Sequence, residues 1–114
     1  MERDLAAIAA LKQTLTGIAL SLASLPTPQL ENLDEWKAKA PQIVQAAQTI
    51  ALALQERDPA IAEILDGVAS ECELMMAVIE RDRDEPPMGN RIAVREKRIS
   101  ELQGRVIQAA QNLG

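Results

Sequence analysis

The chain reads as all-α, an antiparallel up-down four-helix bundle, on three observations. Nineteen of its 114 residues are alanine, Phe and Tyr are absent and Trp occurs once, so the core has to be aliphatic. Apolar residues recur at alternating steps of three and four along four stretches, which is the period of a helix. Proline-bearing segments punctuate those stretches at Pro26, Pro59 and Pro86. A chain of this size is one domain, 1–114, with helices expected over about 3–25, 33–57, 59–83 and 90–112.

In the first stretch Ile8, Leu11, Leu15, Ile18, Leu22 and Leu25 fall on one stripe, and Leu25-Pro26-Thr27-Pro28 ends it. Asn32 followed by Glu35 resembles a capping box and announces the second helix, whose stripe is Leu33, Trp36, Ala40, Ile43, Ala47, Ile50 and Leu54. Pro41 lies inside that pattern and predicts a kink or a short break near 39–41, because its missing amide cannot bond to Lys37. Asp58-Pro59 reads as N-cap plus first helical residue, so the second and third helices meet at a tight turn.

Ile61, Leu65, Val68, Cys72, Met75 and Ile79 form the third stripe, widened by Ile64 and Met76, and the run from Arg81 to Gly89 stops it. The fourth helix begins near Asn90 and carries Ile92, Ile99, Leu102, Val106, Ala109 and Leu113. Four such helices bury their stripes most simply side by side. The alternative is a pair of long hairpins completed by dimerisation.

Chemistry is bounded by what is missing. With no histidine and one cysteine, the chain lacks the commonest general base and metal ligand, and cannot form an internal disulfide. Glycines 17, 67, 89 and 104 are isolated, without a phosphate-binding pattern, and the carboxylates of the third helix point around a solvated surface. Cys72 and Met75–Met76 read as core filling, not as a reactive thiol or a binding groove. The expectation is no enzyme, no cofactor and no metal.

The net charge of −5 disfavours general nucleic-acid binding. The charge is uneven: Met1–Leu25 sums to zero, Pro26–Asp58 to −2, Pro59–Glu85 to −6 and Pro86–Gly114 to +3. Arg91, Arg95, Arg98 and Arg105 share one face of the fourth helix. That stripe is expected to face the acidic third helix, with Arg95, which intrudes on the apolar sector, meeting Asp82 or Glu85 near the loop. A small nucleic-acid regulator using these arginines is the weaker use, since stacking aromatics are lacking.

Four apolar residues miss their own stripes by about 120° or more at the helical period: Leu20, Leu52, Leu74 and Val78. Exposed apolar surface of this kind marks a contact site when it is contiguous, and Leu74 and Val78 are neighbours one turn apart. Between Leu5 and Leu25 the only charge is Lys12, so the first helix has little polar face of its own. A signal peptide or membrane span is disfavoured by acidic Glu2 and Asp4 at its start and by Gln13, Thr14, Thr16, Ser21 and Ser24 within it. The expectation is a cytoplasmic, non-enzymatic interaction module that binds a protein partner or itself as a homodimer, without membrane or nucleic acid. In size and acidity it resembles export chaperones and immunity proteins, a likeness of architecture that rests on no motif. The alternative is a protein whose aliphatic helices lie on lipid or another hydrophobic surface.

Overall fold

The computed structural model describes residues 2–81 and 91–113. Four α-helices make it up: α1 (Glu2–Ala23), α2 (Leu33–Leu54), α3 (Pro59–Arg81) and α4 (Arg91–Asn112), with a 3-10 turn over Leu30–Asn32 ahead of α2. Among the described residues there is no strand.

The corner between α1 and α2 has carbonyls that no helix can satisfy, and side chains of α2 and of the turn before it supply the donors. Trp36 Nε1 donates to the Pro26 carbonyl at 3.0 Å, Asn32 Nδ2 to that of Thr27 at 2.9 Å, and Lys39 Nζ to that of Ser24 at 3.4 Å. This corrects the expected capping box. Asn32 makes no side-chain cap; its amide is used on Thr27, and the 3-10 turn already offers the Leu30 carbonyl to the Leu33 amide.

At the next corner Asp58 does cap. Its Oδ1 accepts from the Ile61 amide at 3.3 Å and its carbonyl from the Ala62 amide at 3.1 Å, while Pro59, which has no amide to satisfy, opens α3. The expected break at Pro41 does not occur. α2 runs continuously through it, with Pro41 on the exposed side where the ring costs only the one backbone bond.

The helices pack as a bundle. α2 lies most extensively against α3, α3 against α4 and α1 against α4, whereas α1 touches α2 sparingly. All six stripe residues of α3 are buried, facing Leu33, Trp36, Ala40, Ile43, Ala47 and Leu54 of α2 in one core. Each fully buried leucine there, such as Leu15, Leu33 or Leu65, contributes about 1.5–3 kcal/mol. In α4 only Val106 and Ala110 are buried; Ile92, Ile99, Leu102, Ala109 and Leu113 stay half-exposed. The molecule is 56 Å long, against about 33 Å for a 22-residue helix, so the helices are offset along its axis.

Candidate functional site

α1 is buried only along Leu15, Ile18, Ala19 and Leu22. From Leu5 to Thr14 no residue is buried, and Ile8 and Leu11 are half-covered. The Gln103 Nε2 of α4 donates to the Ala19 carbonyl at 3.1 Å, which marks the face α1 turns to α4. On the far side Ala6, Ala9, Ala10, Gln13, Gly17 and Leu20 line a shallow hollow. Leu5 and Leu20 are 69% and 66% exposed. The stretch Leu5–Ala23 has a mean hydropathy of 1.5 with 22% of it buried, and it is long and apolar enough to cross a membrane. Core helices of this hydropathy are ordinarily covered; this one is not.

The other off-stripe residues separate. Leu52 is 71% exposed on α2, and Leu74 is 45% exposed on α3. Val78 is half-buried, contrary to expectation. The physical reason is angular: at the helical period Val78 stands about 60° round α3 from buried Met75, whereas Leu74 stands about 100° from it. Leu20, Leu52 and Leu74 lie on three different helices.

Among the described residues Arg95 pairs with Glu71; Asp82 and Glu85, the partners expected for it, lie outside the described residues. One guanidinium nitrogen, Nη1, donates to both carboxylate oxygens at 3.1 Å. Glu71 is the buried charged residue among those described, 7% exposed, and the arginine stem covers it from α4. Sequence reasoning missed Glu71. Its signal was its position at the helical spacing of Ile64, Gly67, Leu74 and Val78, where a carboxylate, like Arg95 opposite, trespasses on a packed face.

Arg98 and Arg105 are exposed along the mouth of a groove of about 660 Å³ between α3 and α4, with Glu63, Asp66 and Glu101. Gly67 makes room for its floor: a Cβ there would stand 3.2 Å from Leu102 Cδ2. The side chain of Arg91, the first residue of α4, lies outside the described set. Among the described residues the ion pairs are Lys37–Glu80 at 3.3 Å, Lys39–Glu35 at 2.9 Å and Arg95–Glu71, so Arg98 and Arg105 belong to none of them.

Cys72 is fully buried, and desolvation, helped by the neighbouring Glu71 and Glu73 charges, pushes its thiol up to about 12. A thiol in that state is no nucleophile. Met75 is fully buried beside it and Met76 half-buried. Among the described residues no three Cys, Asp or Glu side chains converge as metal ligands. Compared with known protein families, curated proteins and solved structures, the chain matches none.

Proposed function

We propose that this chain is a non-enzymatic, cytoplasmic helical interaction module that binds a protein partner through an apolar helical face and self-associates as a homodimer. The observation that carries the reading is α1: a 22-residue helix whose apolar outward side, with Leu5 and Leu20 two-thirds exposed, meets nothing in the chain. Water-facing apolar surface of this extent on a helix is covered when a second helix lies along it.

The finer architecture that goes with this reading is an up-down antiparallel bundle, kinked at Pro41. The Lys37–Glu80 bond supports antiparallel α2 and α3, since it links the early part of α2 to the late part of α3, and the Arg95–Glu71 bond, from the start of α4 to the middle of α3, is compatible with the same order. The closed bundle is preferred to swapped hairpins because each helix finds its packing partners within one chain.

A second reading, adhesion of α1 to lipid, is favoured by its hydropathy and low burial. It is opposed by the absence of aromatic residues from α1 to seat at the headgroups and by the lack of a basic flank, since Arg3 stands between Glu2 and Asp4 and Lys12 is the one other cation of the helix. The test compares the unmodified chain with Leu20→Glu, a substitution at an exposed position that leaves the bundle folded. Under the partner-binding reading, the unmodified chain retains a specific protein from extract of its native source, the variant does not, and neither sediments with liposomes. Co-sedimentation of the unmodified chain with neutral liposomes, lost in the variant, would replace the protein partner by lipid.

A further inference from the structure

The groove between α3 and α4 is floored by half-buried Ile64 and Leu102, with Gly67 between them, and is charged differently along its two edges. The α3 edge carries Glu63 and Asp66, both exposed, while buried Glu71 at its upper end is already neutralised by Arg95. On the α4 edge stand Arg98 and Arg105, exposed, with Glu101 between them at three and four residues, so that edge remains net positive. The spacing 64, 67, 71, 74 on α3 and 98, 102, 105, 109 on α4 alternates three and four on both sides. Along the groove each helix thus keeps a partly open edge, half-buried at Ile64 and Gly67 on α3 and at Leu102 and Ala109 on α4. Half-exposed Leu74 continues the α3 edge.

We propose that this groove seats a second copy of the same chain, related by a two-fold axis running along the groove. The argument is charge symmetry. A rotation about an axis parallel to the helices sets α3 of one copy over α4 of the other, so Glu63 and Asp66 face the partner copy's arginine edge twice over, once from each side. A two-fold axis perpendicular to the helices would stack acid on acid and arginine on arginine, and the pattern rejects it. Ile64 and Leu102 then close against their own counterparts as the apolar centre, with the charges as a rim. The proposal specifies the self-association in the reading above and is independent of partner capture by α1.

Two charge-reversed variants test it: Glu63→Arg with Asp66→Arg, and Arg98→Glu with Arg105→Glu. All four positions are exposed, and far-ultraviolet circular dichroism checks that both variants fold. The unmodified chain should dimerise in analytical ultracentrifugation, more weakly as salt rises. Each variant alone should weaken self-association by about tenfold or more, because like charges now face each other across the axis. An equimolar mixture of the two variants should recover the dimer, since each supplies the edge the other lost. A dimer unaffected by either variant would overturn the groove while leaving self-association standing, and a monomeric unmodified chain would overturn the dimer while leaving α1 to its separate partner. Should either variant fail to fold, Glu63→Gln with Asp66→Asn removes the same edge, and an unchanged dissociation constant would overturn the proposal equally.

Discussion

Truncating Arg95 to alanine should destabilise the fold by about 2–3 kcal/mol, and the estimate follows from how wet each partner is. Removing one member of a fully buried ion pair costs about 3–5 kcal/mol, because the other charge is left in a dry site. Here the Glu71 side chain is 9% exposed and that of Arg95 25% exposed, so the abandoned carboxylate is dry but water can enter where the arginine stood. That places the loss below the fully buried range. The converse change, Glu71→Gln, keeps an acceptor beside a guanidinium that can swing toward solvent, and should cost about 1 kcal/mol. Replacing both by leucine should come within about 1 kcal/mol of the unmodified chain, since neither charge is then stranded. Urea unfolding followed by far-ultraviolet circular dichroism measures all three, and the double-mutant cycle isolates the coupling. An Arg95→Ala loss smaller than that of Glu71→Gln would refute the reasoning, because it rests on the carboxylate being the drier partner.

Three further outcomes follow from the geometry. Gly104→Ala should stabilise by about 0.5–1 kcal/mol in the same urea assay, because nothing lies within 4 Å of the added carbon and α4 gains helix propensity. Pro41→Ala should raise stability by about 1 kcal/mol or more by returning an amide to an exposed turn of α2, and an unchanged urea midpoint would count against the lost bond as a cost. Cys72 should resist alkylation in the folded chain and react at once in denaturant. Its thiol is held near 12 in the fold against 9.0 when free, so its contribution to stability is whole below about pH 9 and is lost as pH climbs from there toward 12.

What the sequence reveals best is α3. All six residues of its predicted stripe are buried, because α2 and α4 flank that helix and the period alone tells which side is inside. The α4 stripe has the same period, yet of its six residues only Val106 is buried; periodicity names a face and does not say how much of it a neighbour covers. Asn32 shows a second limit. A capping box and a loop lock use the same side chain, and the choice depends on where Thr27 stands once the corner has folded. The site was legible in pieces. Arg95 is visible as a charge on an apolar sector, but its pairing with Glu71, 24 residues away in sequence, depends on how far α4 runs back along α3. Leu20, Leu52 and Leu74 stand exposed at the positions the period assigns them, whereas Val78, about 60° round the helix from buried Met75, is half-buried.

The lone indole has a practical consequence. Trp36 is 2% exposed and tethered to the Pro26 carbonyl, at the corner that joins α1 to α2, and no other fluorophore of its kind exists in the chain. Emission will therefore report the loosening of that one corner, and a peeling away of α4 can pass unseen by light while the backbone signal falls. Any gap between the two optical readouts on heating would map which end of the molecule lets go first.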